Sequence, residues 1–149
     1  MCQKKQGYLC LIHIGISIVM GVIIYILVRP DTYISRIFRD IVNISGVGDN
    51  VSAVCPRPIL QFLRYYASDF LWAYALTFAI FYVLRNDKRG ILIADGICFV
   101  FESSIELLQK FQIVSGTFDW LDILCEFCAT AIASLIIKYI RRTKNENNP

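Results

Sequence analysis

Residues 8–28 read YLCLIHIGISIVMGVIIYILV, an unbroken apolar run of 21 residues in which His13 is the one side chain able to carry charge near neutral pH. At about 1.5 Å per residue such a run, wound as a helix, crosses a hydrocarbon core of about 30 Å. Lys4 and Lys5 precede it as they would in a signal peptide. The run is longer than the usual signal core, however, and Val28-Arg29-Pro30-Asp31 supplies no small-residue cleavage site, so a retained helix is expected. Working outward, three further apolar spans are predicted at about 68–84, 90–108 and 120–140, each less purely apolar than the first.

Composition agrees. The chain of 149 residues is 56% hydrophobic and 18% charged, with a mean hydropathy of +0.55, against about 45–50% apolar and about 25% charged in soluble domains. Four spans consume most of the length, leaving no separate soluble core. A net charge of +3 gives no nucleic-acid footprint. The expected fold is all-α: a single polytopic membrane domain of four transmembrane helices. Its outer loop is residues 29–67 and its polar tail residues 141–149. Cys10, Cys98, Cys125 and Cys128 fall inside apolar spans, so no disulfide framework can be read.

Within the loop, Ile34, Ile37, Phe38, Ile41 and Val42 recur at three- and four-residue steps while Arg36, Arg39 and Asp40 take other faces. That predicts an amphipathic helix over residues 33–44 lying on the bilayer. Residues 45–50, SGVGDN, break it, and Pro56-Arg57-Pro58 precedes a short apolar-aromatic stretch, Ile59 to Tyr66. With four spans, nine Lys and Arg residues fall on the side of the two termini and six on the other, spread over longer loops. Both termini are therefore expected in the cytoplasm.

Carboxylates inside the spans carry the functional question, since each costs a few kcal/mol on insertion scales. Asp95, Glu102, Glu106 and Gln109 fall within an arc of about 60° on the third helix, and Asp122, Glu126, Ala129 and Ala133 within a similar arc on the fourth. Reckoned from the outer helix ends, Glu102 and Glu126 lie at the same depth of about 10 Å, with Glu106 and Asp122 level nearer the surface. If the stripes face one another, they form a polar cleft of Glu102, Glu106, Gln109, Asp122 and Glu126, which Asp69 can join. Carboxylates sharing a site cannot all stay ionised, so the cleft needs protons, a cation or a basic partner. Simple exposure to headgroup water accounts equally well for Glu106, Asp119 and Asp122. Asp119 is expected to cap the fourth helix while Asp122 points inward.

Other residues are read structurally. His13 is expected as a packed or interfacial histidine, Asp95 as a partner of Arg89 or Lys88, and Cys125-Glu126-Phe127-Cys128 as two packed thiols. Tyr65, Tyr66, Trp72 and Trp120 suit an interfacial aromatic belt. No nucleophile motif, metal-ligand spacing or cofactor fingerprint is present, so no cofactor and no catalytic residue are expected.

The segment Glu106-Leu107-Leu108-Gln109 followed by Gly116-Thr117-Phe118-Asp119-Trp120-Leu121-Asp122 resembles the signature of the VanZ-like membrane proteins. In that family, Glu-x-x-Gln at a helix end precedes Arg-x-x-Asp-x-x-Asp and then Asn-x-x-Gly-x-x-x-Gly. The resemblance covers roughly Phe101 to Ala133, with support from the four-helix layout and from Asp69-Phe70-Leu71-Trp72-Ala73-Tyr74. It implies family positions at Glu106, Gln109, Asp119 and Asp122. The chain departs at Gly116, where Arg is usual, at Glu126, where Asn is usual, and at Ala129 and Ala133, where Gly is usual. The resemblance further implies a bacterial cytoplasmic membrane protein, in a family named for a protein linked to teicoplanin resistance. Three function classes stay open. One is a non-enzymatic envelope protein engaging membrane lipid headgroups, a cell-wall precursor or a cationic amphiphile. The others are a small proton- or cation-coupled carrier and an intramembrane enzyme on a lipid.

Overall fold

A computed structural model describes residues 2–28, 37, 41, 55–84, 87, 89–114 and 118–146. The described residues contain five helices of some length and no strand: α1 (Cys2–Val28), α2 (Arg57–Tyr65), α3 (Ala67–Leu84), α4 (Gly90–Lys110) and α5 (Trp120–Glu146). Of the interfacial helix predicted over residues 33–44, only Ile37 and Ile41 are described, and the remainder lies outside the described residues. The turn residues 45–50, with Arg36, Arg39, Lys88 and Gly116, also lie outside them.

Three helices carry stretches long and apolar enough to cross a membrane: Gln6–Val28, Ala67–Leu84 and Trp120–Arg142. The expectation of four is met only in part. α4 has 21 residues, but Asp95, Glu102 and Glu106 interrupt its apolar character, so length and composition alone do not qualify it. α1 and α5 also run past the predicted limits, α1 beginning at Cys2 and α5 continuing to Glu146. Hydropathy marks where a span leaves the lipid, whereas Gln, Lys, Arg and Glu are good helix formers and no Gly or Pro intervenes between Arg141 and Glu146. The expected polar tail is thus helical over most of its length.

α3 is the hub and packs on each of the other four helices, while α1 has no substantial contact with α4. α1 lies antiparallel on α3: a Cβ on Gly21 would sit 3.8 Å from Leu71 and one on Gly7 3.2 Å from the Tyr82 ring. His13 lies between these points, its Nδ1 2.8 Å from the Tyr74 hydroxyl and its ring stacked on Phe78 at 4.6 Å, so it is a packed histidine. The α3–α4 turn is tight enough to demand glycine, since a Cβ at Gly90 would fall 2.5 Å from the Leu84 carbonyl oxygen.

α4 stops in a Schellman motif. The Ile113 N–H donates to the Leu108 carbonyl at 2.9 Å and the Gln112 N–H to that of Gln109 at 2.9 Å, with Gln112 in the left-handed region at φ 56°. The apolar core, Cys10, Phe78, Phe81, Ala94, Ala133 and Ile137, gathers at the Gly90 end of the bundle. The opposite end, marked by Trp72 and Trp120, holds the polar side chains.

Candidate functional site

The relative register of α3, α4 and α5 is fixed by one side chain. Thr77 Oγ1, fully buried on α3, lies 3.3 Å from Thr130 Oγ1 on α5 and 3.5 Å from Cys98 Sγ on α4, and donates to the Ala73 carbonyl at 2.9 Å. Thr77, Cys98 and Thr130 therefore form one layer. A second contact, the Tyr66 hydroxyl donating to Asp119 Oδ2 at 3.3 Å, repeats the α3–α5 offset near the helix starts. α3 runs parallel to α5 and both run antiparallel to α4. Stepping one turn of about 6 Å from the threonine layer toward the tryptophan end brings Ala73, Glu102 and Glu126 to one level. A further turn brings Asp69, Glu106 and Asp122 level, and beyond them Gln109 with Asp119 and Tyr66.

The layers explain the placement of each predicted residue. Ala73, with no exposed surface, stands on α3 at the level of Glu102 and Glu126. Glu102 and Glu106 are each only 4% exposed. Glu126 is half-buried and lies in the electrostatic field of Glu102, Glu106, Asp69 and Asp122, while Glu106 lies in that of Asp69 and Asp119. Glu102 Oε1 and Glu126 Oε2 are buried, and among the described residues neither meets a hydrogen-bond donor. Gln109 is half-buried at the mouth. Asp69, half-buried, accepts from the Ser68 hydroxyl at 3.4 Å and forms part of the wall of a cavity of about 550 Å³ between α1 and α3, beside Tyr25 and Trp72.

Asp119 closes the mouth. Its Oδ1 accepts the Leu121 N–H at 3.0 Å, the geometry of a helix N-cap, and its own N–H donates to Glu106 Oε2 at 3.4 Å. The end of α4 and the start of α5 are thus tied through the Glu106 carboxylate and the Asp119 backbone amide. Partial desolvation, followed by the Asp119 carboxylate beside it, pushes the Tyr66 phenol above the ordinary tyrosine value. Tyr66 thus carries a hydrogen-bonded hydroxyl at the end where Tyr65, Trp72 and Trp120 are more than half exposed.

Asp95 takes the Ser134 hydroxyl from α5, because the register that sets Cys98 beside Thr130 sets Asp95 beside Ser134; Lys88, one of the two basic partners expected for it, lies outside the described residues. One structural expectation is corrected. Cys125 is half-buried but Cys128 is exposed, both as free thiols, since Cys125 stands at the edge of the buried stripe and Cys128 lies about 60° further round the helix from it. Thr77, Thr130, Cys98 and Ser134 were not singled out from the sequence. The polar stripe of α4, extended back from Glu102 to Asp95 and matched against Ser134 and Thr130 on α5, carries the signal that would have found them.

Among the described residues no group of three or more His, Cys, Asp or Glu side chains is arranged to hold a metal ion. Among the described residues Glu102 and Glu126 instead each keep a buried oxygen without a donor, which suits a ligand that brings N–H groups or protons of its own.

No family model, curated protein or solved structure matches the chain. The functional reading therefore stands on the residues themselves.

Proposed function

We propose that the chain is a four-helix integral membrane protein of the bacterial cell envelope, VanZ-like and non-enzymatic, whose acidic cleft opens outward and engages a cationic group. That group would belong to a lipid headgroup, a wall precursor or a cationic amphiphile. The observation that carries this reading is the layer in which Glu102 and Glu126 stand level, each with a buried oxygen lacking a donor among the described residues. A buried carboxylate without a partner is costly, and a bound ammonium supplies both the charge and the missing hydrogen bonds.

The fourth span follows from where the α4 carboxylates point. Glu102 and Glu106 are buried toward α3 and α5, while Leu92, Ile97, Val100 and Leu107 on its outer surface are about half exposed or more. The surface offered to lipid is therefore as apolar as that of the other spans. With the basic residues weighted to the terminal side, both termini lie in the cytoplasm and the tryptophan end faces out. The resemblance to VanZ-like proteins fits the same end of the bundle, where Glu106, Gln109, Asp119 and Asp122 line the mouth, and it carries with it a role in glycopeptide resistance.

Calorimetric titration of the purified protein with spermidine, a water-soluble polyamine, tests the reading. Saturable binding is expected, weakened at least tenfold by Glu106→Gln or Asp122→Asn and unchanged by Asp87→Asn at the opposite end. Absence of binding, or binding indifferent to the cleft substitutions, would contradict it.

A second reading, a proton-coupled carrier, is favoured by the continuation of polar groups through Thr77, Cys98 and Thr130 to Asp95 and Ser134. This carries the column to about 8 Å from the start of α4 at Gly90. Proton flux across proteoliposomes, absent under the first reading, separates the two.

A further inference from the structure

A second recess, on the lipid side of the α4–α5 seam, shares Glu102 with the cleft. It encloses about 340 Å³ and is lined by Asp95, Gly96, Phe99 and Glu102 of α4 and by Phe127 and Thr130 of α5, with Ala131 beside them. Its floor is polar. Asp95 holds the Ser134 hydroxyl, Thr130 is paired with Thr77 behind it, and Glu102 Oε1 lacks a donor among the described residues although the residue is 96% buried, being 4% exposed. Its rim is aromatic: Phe99 and Phe127 stand edge to face at 6.4 Å, each about half exposed. The opening exists because α4 carries no side chain at Gly96, where a Cβ would meet nothing within 4 Å. Glycine is less favourable than alanine inside a helix, so this gap is held open against helix propensity.

The chemistry of the recess defines its occupant. Two carboxylates on the floor select positive charge, and the donor-less oxygen of Glu102 selects a cation that has N–H groups. The aromatic rim favours a cation passing over a ring face. The mouth lies between exposed apolar side chains, so the remainder of the ligand is hydrocarbon. The volume is at the small end of the range for ligand sites, about 300–1000 Å³, which suits a head group and its first methylenes with the chain left in lipid. We propose that this groove takes the protonated amino head of an alkylamine entering sideways from the membrane, with Glu102 Oε1 accepting its N–H and Asp95 balancing its charge. The proposal rests on the membrane-spanning reading of α4 and deepens that of the acidic cleft by naming a ligand class and a lateral entrance.

The test uses the full chain in phosphatidylcholine nanodiscs, with empty nanodiscs as blank, and measures equilibrium binding of radiolabelled dodecylammonium, dodecyltrimethylammonium and dodecanol. Dodecylammonium should bind saturably, the trimethyl compound at least tenfold more weakly for want of an N–H, and dodecanol no better than the blank. Gly96→Leu, whose Cβ has open space on the recess side, should reduce dodecylammonium binding at least tenfold and leave spermidine binding unchanged. Ala131→Phe, blocking from the other wall, should do the same. Equal dodecylammonium binding by the filled variants, or equal binding of the trimethyl compound, would overturn the proposal. So would conversion of a dimer to a monomer by Gly96→Leu with alkylamine binding intact, which would make a second copy of the chain the occupant. Loss of spermidine binding alone in the unaltered protein would sink the outer-cleft reading and leave this one standing.

Discussion

The hydroxyl pair Thr77 and Thr130 sets the level at which the buried carboxylates meet, and a double-mutant cycle measures whether it exists. Thr77→Val removes a buried hydroxyl that contacts Thr130 at 3.3 Å and the Ala73 carbonyl at 2.9 Å while preserving shape. Thr130→Val removes the partner. Interhelical polar pairs between membrane helices average about 0.6 kcal/mol and reach about 1.7 kcal/mol. A net protein hydrogen bond contributes about 0.5–1.5 kcal/mol. Each single change should therefore cost about 1 kcal/mol, and the double change should fall short of the sum by about 0.6 kcal/mol or more. Reversible unfolding in mixed micelles, followed by far-ultraviolet circular dichroism, supplies the four free energies. Strict additivity within about 0.3 kcal/mol would show that the two hydroxyls do not meet. The level placement of Glu102 and Glu126, four residues further along each helix, would then lose its basis.

Three other outcomes follow from the ends of α4 and α5. Asp119→Ala should destabilise by about 1–2 kcal/mol through loss of the α5 cap, while Asp119→Asn should cost less than half of that in the same unfolding assay, since an amide oxygen still caps. Gln112→Gly should stabilise by about 0.5–1 kcal/mol because the residue sits at φ 56°, and a melting temperature that falls would contradict the Schellman assignment. The raised Tyr66 phenol favours the folded state while it stays protonated, so stability should be full below about pH 10 and fall as pH rises through the higher folded value. Tyr66→Phe should remove that alkaline loss, and an unchanged profile would count against the Asp119 contact.

The sequence showed the helices because their signal is local. An apolar run of span length between charged turns can be little else, and the boundaries 68–84 and 90–108 fall within a residue or two of α3 and α4. The sequence also showed which carboxylates share a face, since 100° per residue is a property of one helix. Placement across helices was harder. Depth counted from helix ends put Glu102 level with Glu126, but the Asp95–Ser134 contact went unforeseen because sequence proximity is no guide to contacts between antiparallel helices. The Tyr66–Asp119 contact went unforeseen for a related reason: the hydroxyl reaches Asp119 through the α3–α5 register, which no periodicity within α3 reports. Thr77 escaped notice because a threonine in an apolar run is unremarkable until a partner hydroxyl appears opposite.

The central claim is that Glu102 and Glu126 act on one cationic group. Spermidine binding measured by calorimetry for Glu102→Gln, Glu126→Gln and the double variant tests it directly. A charge-assisted hydrogen bond contributes about 1.5–3 kcal/mol, so each single change should weaken binding by about ten- to a hundredfold. Because the two carboxylates share one ligand, the double change should weaken binding by much less than the product of the single effects. Full multiplication of those effects, or no effect from either, would show that the two glutamates do not form a common site.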